Sequence, residues 1–122
     1  MAIVELWTFN VVTTPPMDLT NLDLTGFKVE ARDGGIGKVD EATHEAGGSF
    51  VVIDTGPWIF GKKVMLPAGV IRDIDLDTET IFVDRTKDEI KNAPAFDEQH
   101  YRDESYRSEL GDYYGRRSEG RF

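Results

Sequence analysis

The chain contains no cysteine, and this absence removes several kinds of chemistry at once. Without cysteine there is no disulfide framework, no thiolate nucleophile, and no zinc or iron–sulfur site held by thiolates. Such a composition fits a reducing compartment, and we expect the protein to be cytoplasmic.

A long apolar run is also lacking. The most apolar stretch near the start, MAIVELWTF, is interrupted by Glu5 and is far shorter than the roughly 20 residues that cross a bilayer. No Lys or Arg precedes it and no small-residue cleavage site follows, so a secretory signal is not expected. We predict no transmembrane segment, and association with a membrane only through a partner.

Basic residues are scarce: 14 Lys and Arg stand against 23 Asp and Glu, which gives a formal net charge of −9. Proteins that bind nucleic acid through its phosphates need Lys and Arg to displace counterions. Direct binding of nucleic acid is therefore not expected. The 122 residues suit one domain with a modest core.

Alternating apolar and polar side chains between residues 27 and 84 predict about six short strands. In FKVEARDGGIGKVDEA the alternation continues on both sides of Asp33 and Gly34. This pattern predicts a hairpin in which Asp33 and Gly34 form the turn and adopt positive φ. GGSFVVIDT and GKKVMLP predict two further strands, the second ended by Pro67. The pattern predicts a mainly β protein, a small β-barrel.

The acidic segment RDIDLDTETIFVD invites comparison with a calcium loop. Its acids occupy positions 1, 3, 5, 7 and 12 of a twelve-residue window: Asp73, Asp75, Asp77, Glu79 and Asp84. An EF-hand loop needs glycine at position six and a bidentate glutamate at position twelve, where this chain has threonine and aspartate. Both flanks alternate like strands, so we predict a hairpin with a line of exposed aspartates and no metal site.

Two helices are predicted after the strands. Thr86 and Glu89 have the spacing of a capping box, which predicts a short helix ending before Pro94. Further on, Tyr106 and Leu110 lie four residues apart and Gly111 follows, which predicts a marginal helix from about residue 98 to residue 110.

Several segments resemble the PRC-barrel domain in order and spacing: LTGFKVEARDGGIGKVDEA, FVVIDTG, GKKVMLPAGVIRDIDLDTETIFVD and TKDEIKNAPAFD. This family includes the cytoplasmic part of the photosynthetic reaction-centre H subunit, the C-terminal half of the small-subunit ribosome-maturation factor, and many stand-alone bacterial and archaeal proteins. The resemblance implies a barrel over residues 23–97, with an N-terminal extension at 1–22 and a charged, Tyr-rich tail at 98–122. The matching residues are structural, so it implies docking onto other macromolecules and no reaction.

The sequence contains neither the membrane helix of the H subunit nor the partner domain of the ribosome factor, and is most similar to the stand-alone type. We expect a non-enzymatic protein-binding module, an adaptor or accessory subunit of a larger assembly. Two alternatives stay open. One is a self-associating homo-oligomer formed by strand addition at an open edge. The other is a ribosome-associated maturation factor that acts through a ribosomal protein.

No catalytic constellation can be assembled from the sequence. His44 and His100 lack metal-binding spacing, and no serine lies in a Gly-x-Ser-x-Gly context, so we expect no enzyme activity, cofactor or metal. The tail has too little aliphatic content to fold alone, so its tyrosines predict that it packs against something. Eight aromatic residues are candidates for contact with a partner or for packing at the barrel: Trp7, Phe9, Trp58, Phe60, Tyr101, Tyr106, Tyr113 and Tyr114.

Overall fold

The computed structural model describes residues 6–7, 13–15, 23–42, 49–56, 63–94, 96–97, 99–101 and 103–119. Seven strands and two α-helices lie within these residues. The strands are β1 Thr13–Thr14, β2 Lys28–Ala31, β3 Gly34–Ala42, β4 Phe50–Asp54, β5 Lys63–Pro67, β6 Ile71–Asp75 and β7 Thr80–Val83. The helices are α1 Lys87–Lys91 and α2 Glu104–Glu119, and a 3₁₀ helix, Ala68–Val70, joins β5 to β6.

The protein is mainly β, as predicted, and its strands form one mixed sheet in the order β1-β6-β7-β2-β3-β4-β5. In a flat sheet, β5 and β6 would lie five strand spacings apart, roughly 24 Å. The 3₁₀ helix that joins them spans three residues, and even an extended link of this length reaches only about 14 Å. The sheet must therefore curl until its two ends approach each other, although β1 and β5 are not paired with each other among the described residues.

The first hairpin turns one residue earlier than predicted. Ala31 pairs with Gly34, so the turn consists of Arg32 and Asp33, and Gly34 carries the positive φ of 143° at the start of β3. Contacts from outside the hairpin account for this difference. The Asp33 carboxylate accepts a hydrogen bond from the Lys87 backbone N–H at 2.8 Å, and this bond fastens the turn to the first residue of α1.

Close packing between β3 and β4 depends on Gly37. Its φ is +149°, and a Cβ at this position would overlap the backbone carbonyl of Asp54 on β4. A side chain would therefore push the two strands apart at a point where they pair.

The acidic segment forms the β6–β7 hairpin, as predicted, but its aspartates do not make one exposed line. The register shifts between Ile71 and Asp73, so Ile71 and Ile74 both point into the core. The shift precedes Asp73; Asp73 and Asp75 pair regularly with β7 and share one face of the strand, whereas Asp77 lies beyond the end of β6, in the turn. Asp73 and Asp75 are half-buried and only Asp77 is exposed. The Asp75 carboxylate accepts the Asp77 N–H at 2.9 Å and so caps the turn.

The capping box of α1 is confirmed. Glu89 N–H donates to the Thr86 hydroxyl at 3.2 Å, and Thr86 N–H donates to the Glu89 carboxylate at 3.0 Å. The two bonds satisfy backbone donors that the first turn of a helix leaves unpaired. The helix ends at Lys91, before Pro94, as predicted.

The tail helix differs from its prediction at both ends. α2 begins at Glu104 and continues to Glu119, so Gly111 lies inside the helix and does not end it. The helix buries one stripe of side chains at spacings of four residues: Tyr106, Leu110 and Tyr114 are 9%, 0% and 0% exposed and belong to the hydrophobic core. This burial stabilises a helix whose own sequence favours it only weakly.

Candidate partner-binding site

The dipeptide Leu6–Trp7 is held against the sheet by its backbone. The Leu6 carbonyl accepts a hydrogen bond from the Gly69 N–H at 2.6 Å, and the Trp7 carbonyl accepts one from the Ser49 N–H at 2.8 Å. Gly69 lies in the 3₁₀ helix between β5 and β6, and Ser49 lies just before β4. These bonds fix the position from which the Trp7 side chain reaches α2.

The Trp7 indole packs on α2 where the helix has no side chain. A Cβ placed on Gly111 would lie 3.1 Å from Trp7 Nε1, closer than an ordinary van der Waals contact. One turn earlier on the helix, the Arg107 guanidinium lies 5.0 Å from the centre of the indole ring, which is cation–π geometry. Trp7 therefore fits between the glycine and the arginine and remains half-buried.

An open cleft of about 530 Å³ adjoins this contact. It is lined by Trp7, Glu104, Arg107 and Ser108, which we call the Trp7 cleft. Glu104, Arg107 and Ser108 share one side of α2 because residues three and four apart are neighbours on a helix. The cleft offers an aromatic surface, a cation, a carboxylate and a hydroxyl, a combination suited to binding a peptide segment.

Among the described residues, polar contacts of Tyr106, Tyr113 and Arg85 fasten α2 to the rest of the chain. The Tyr106 hydroxyl donates to the Pro94 carbonyl at 3.3 Å, and the Tyr113 hydroxyl donates to the Glu89 carbonyl at 2.6 Å. The third contact comes from Arg85, whose guanidinium donates to the Tyr114 carbonyl at 3.0 Å. These bonds join the helix to α1, to the segment that follows it and to the end of β7.

Burial of the helix shifts the pKa values of the groups beneath it. Burial raises the pKa of Tyr106 to about 12, and it raises the pKa of Tyr114 further. Arg85 is 4% exposed, and burial lowers its pKa below the usual value, an effect opposed by the carboxylates of Asp84 and Glu89. Both tyrosines stay neutral at ordinary pH, so these buried groups beneath α2 have a structural role.

The candidate aromatic residues fall into three groups. Tyr106 and Tyr114 are buried and pack in the hydrophobic core of the chain. Trp7, Tyr101 and Tyr113 are half-buried. The other three, Phe9, Trp58 and Phe60, lie outside the described residues.

Tyr101 forms a second aromatic cluster, separate from the Trp7 cleft. Its ring lies 5.0 Å from that of Phe96 and 6.1 Å from that of Phe50, the latter edge to face. Its hydroxyl donates to the Glu41 carboxylate at 2.9 Å. Tyr101 therefore fastens the segment before α2 to β3 and β4.

The sequence pattern does not reveal the polar side of the cleft. Glu104, Arg107 and Ser108 belong to a mixed-charge helix, and such a helix is usually solvated on all sides but one. The pattern predicts a helix end at Gly111, whereas Gly111 lies inside α2. The available signal was a glycine one turn after an arginine, a place where an aromatic side chain can approach the helix backbone closely.

Outside the cleft, the clearest pair of titratable groups is His100 and Asp97. The His100 Nδ1 lies 2.9 Å from an Asp97 carboxylate oxygen, and this hydrogen bond raises the pKa of His100 and lowers that of Asp97. Both groups are exposed. Within the described parts of the chain, no three His, Asp or Glu residues cluster so as to hold a metal ion, and no helix is long and apolar enough to span a membrane.

Neither a scan against protein-family models nor a search of curated proteins finds a match to this chain. Among solved structures, the chain is similar to RimM from Pseudomonas aeruginosa, assigned as a 16S ribosomal RNA processing protein. The two are 20% identical with a TM-score of 0.45, over 59% of this chain and 50% of that one. The chain therefore spans about half the length of RimM, and a likeness of this extent carries no functional argument.

Proposed function

We propose that this protein is a non-enzymatic binding module for other proteins, an adaptor or accessory subunit of a larger assembly. The observation that carries the proposal is the Trp7 cleft, in which a half-buried indole and a guanidinium form one wall of an open cleft. Trp and Arg are two of the three residue types most enriched at the energetic centres of protein interfaces. The resemblance to the PRC-barrel family, whose members dock onto macromolecules, supports the same function.

The geometry favours binding because the cleft is already organised. Trp7 is held by backbone hydrogen bonds on one side and by Gly111 and Arg107 on the other. A partner that contacts the indole would therefore not have to order it, and this lowers the entropic cost of association.

Point variants of the intact chain test the proposal. Truncation after Asp97 is unsuitable, because α2 contributes Leu110 and Tyr114 to the core and its loss would unfold the protein. The immobilised full chain and its Trp7→Ala and Arg107→Ala variants are exposed to extract from the native cell, and retained proteins are quantified. We expect at least one protein to be retained by the parent chain and lost from both variants.

Arg72→Ala is the matched control. Arg72 also lies over an aromatic ring, that of Phe82 at 5.4 Å, but it does not line the Trp7 cleft. Retention should therefore survive Arg72→Ala, and circular dichroism should show that all three variants are folded. Equal retention by every chain, or equal loss from all three variants, would contradict the proposed use of the cleft.

Self-association is a second candidate, favoured by the position of β5. This five-residue strand lies at one end of the sheet order and pairs only with β4 among the described residues. An end strand with one free side can add a strand from a second copy. Light scattering over a wide concentration range should then show a dimer or a larger species, and a monomer throughout would refute this candidate.

The ribosome-associated alternative stays a prediction of the family resemblance. Under this alternative the protein binds the ribosome through a ribosomal protein, because RNA would repel the acidic chain. Co-sedimentation with ribosomal subunits at low salt tests it, and a protein that stays in the supernatant would count against it.

A further inference from the structure

The groove that receives residues 6 and 7 is built like a peptide-binding site. It offers the Gly69 and Ser49 N–H groups, which bind the Leu6 and Trp7 carbonyls at 2.6 and 2.8 Å. It also offers a notch at Gly111, where α2 has no side chain and the indole fits. When a protein recognises a peptide, backbone hydrogen bonds supply affinity and a side-chain pocket supplies specificity. The occupant itself therefore shows which ligand the groove accepts: a segment of chain that carries Leu and Trp in succession.

The same segment continues into β1, which lies beside β6. Thr13 and Thr14 pair in parallel with Ile74 and Asp75, and Thr13 is 1% exposed. We call residues 6–14 the N-terminal arm; the structure describes residues 6–7 and 13–14 of it. The contacts of these four residues with β6, the 3₁₀ helix and α2 join parts of the chain that are far apart in sequence. The same arm from a second copy therefore makes the same contacts.

The connection between the arm and β2 has to reverse direction. Four residues form one row across the sheet: Thr14, Asp75, Thr80 and Lys28. The arm ends and β2 begins in this row, in opposite directions and three strand spacings apart, which is roughly 14 Å along the sheet. The connection starts with Pro15–Pro16, whose rings fix φ and so limit the ways in which the chain can turn back. In a dimer that exchanges arms, the connection is released from this return.

We propose that two copies of this chain exchange their N-terminal arms, so that Trp7 of each copy enters the Gly111 notch of the other. The closed chain and the exchanged dimer contain the same contacts, so the balance between them depends on the connection and on protein concentration. Each Trp7 cleft in the dimer then consists of an indole from one copy and Glu104, Arg107 and Ser108 from the other. The exchange involves other surfaces than strand addition at β5, and it does not require a foreign partner.

Concentration and salt set the conditions for the test. A short flexible connection holds an arm near its own groove at an effective concentration on the order of 1 mM. We therefore expect light scattering to show a dimer after the chain is refolded from urea at about 1 mM, and a monomer after refolding at about 1 μM. Each copy carries a net charge of −9, so the two copies repel each other and added salt should increase the dimer fraction.

Two complementary variants test the exchange. Trp7→Ala leaves the notch open but removes the side chain that fills it. Gly111→Leu keeps Trp7 but blocks the notch, because even a Cβ there lies 3.1 Å from the indole nitrogen. Refolded alone at about 1 mM, each variant should remain a monomer; refolded together, they should form a heterodimer, which native mass spectrometry identifies. Gly115→Leu is the matched control, since a Cβ at Gly115 meets nothing within 4 Å, and this variant should dimerise like the parent chain.

Nuclear magnetic resonance locates the contact. Isotopically labelled Trp7→Ala chain is refolded with unlabelled Gly111→Leu chain, and we expect the amides of residues 107–111 in the labelled chain to shift. The control partner carries both Trp7→Ala and Gly111→Leu. It should cause no shift, because it has neither the indole nor an open notch.

A further measurement avoids these changes to the packing. The chain has no cysteine, so Ser108→Cys provides a single site for a nitroxide spin label at the exposed rim of the cleft. Spin-labelled chains are refolded with isotopically labelled parent chains at about 1 mM. We expect the label of one copy to broaden the Leu6 and Trp7 amide signals of the other copy.

The outcomes decide the proposal. A heterodimer confined to the complementary mixture, with broadening at Leu6 and Trp7, would establish the exchange. Folded variants that form no heterodimer, absence of that broadening, or dimers of either variant alone would overturn it. Such a failure leaves the proposed binding function untouched, because that function is judged by a native partner lost from the Trp7→Ala and Arg107→Ala chains.

Discussion

Gly111 lies in the middle of α2, where a glycine ordinarily weakens a helix. Replacing an interior glycine by alanine typically stabilises a helix by about 1 kcal/mol, so Gly111→Ala would be expected to help. The structure predicts otherwise, because the new Cβ would lie 3.1 Å from Trp7 Nε1 and 3.8 Å from the side chain of Leu6. The indole would have to retreat by a few tenths of an ångström from a position fixed by its backbone hydrogen bond.

Crowding of this kind costs on the order of 1–3 kcal/mol, which cancels or exceeds the gain in helix propensity. We therefore expect Gly111→Ala to leave the free energy of unfolding unchanged or to lower it by up to about 2 kcal/mol. Gly115 provides the control within the same helix, since a Cβ there meets nothing within 4 Å. Gly115→Ala should stabilise the protein by about 1 kcal/mol.

A double-mutant cycle with Trp7→Ala isolates the contact. Without the indole, Gly111→Ala should stabilise the protein by about 1 kcal/mol, as Gly115→Ala does, which gives a coupling energy of roughly 1–3 kcal/mol between residues 7 and 111. Urea unfolding followed by circular dichroism measures all the variants without relying on the missing tryptophan. If Gly111→Ala in the parent chain stabilises as much as Gly115→Ala, the packing of Trp7 on α2 is refuted.

Three further predictions follow from single contacts. Tyr113→Phe removes a hydrogen bond to a backbone carbonyl and should lower the free energy of unfolding by about 1 kcal/mol. Tyr114→Phe should leave it unchanged or raise it, because the buried Tyr114 hydroxyl has no partner among the described residues. Urea unfolding of both variants measures the difference. Gly37→Ala should cost more than about 3 kcal/mol or prevent folding, because its Cβ would overlap the backbone of β4, and a melting temperature near that of the parent would contradict this. Asp97→Asn should lower the pKa of His100 towards its ordinary value in an NMR titration, and an unchanged pKa would refute the pairing. Since the pair raises the pKa of His100 and lowers that of Asp97, any stability from it is full between the ordinary aspartate and histidine pKa values. It is lost as pH rises through the folded-state pKa of His100 or falls through that of Asp97.

Local patterns in the sequence were sufficient for the elements whose causes are local. Thr86 and Glu89 form the predicted capping box because both partners lie within one helical turn. The period of two around Phe27 and Val29 places them in the core, as expected for a half-buried strand. A mainly β fold follows from several such segments in succession.

The predictions failed where a distant contact decides the outcome. The first turn shifts by one residue because Asp33 binds the backbone of Lys87, which is far away in sequence. The tail helix continues past Gly111, where Tyr114 is buried in the core. Neither effect has a signature within the segment concerned.

The sequence by itself determined a cysteine-free acidic chain, its β-rich class and its capped helix, since composition, alternation and capping are properties of neighbouring residues. Only the tertiary structure decided that Tyr106, Leu110 and Tyr114 enter the core and that Gly111 receives Trp7. It alone assembled Trp7, Glu104 and Arg107 into a cleft, because residues about a hundred positions apart meet only when the sheet curls and α2 packs against it. Helix and strand propensities set the energetic cost of each local conformation. The apolar surface that can be buried in the folded chain decides which conformation forms.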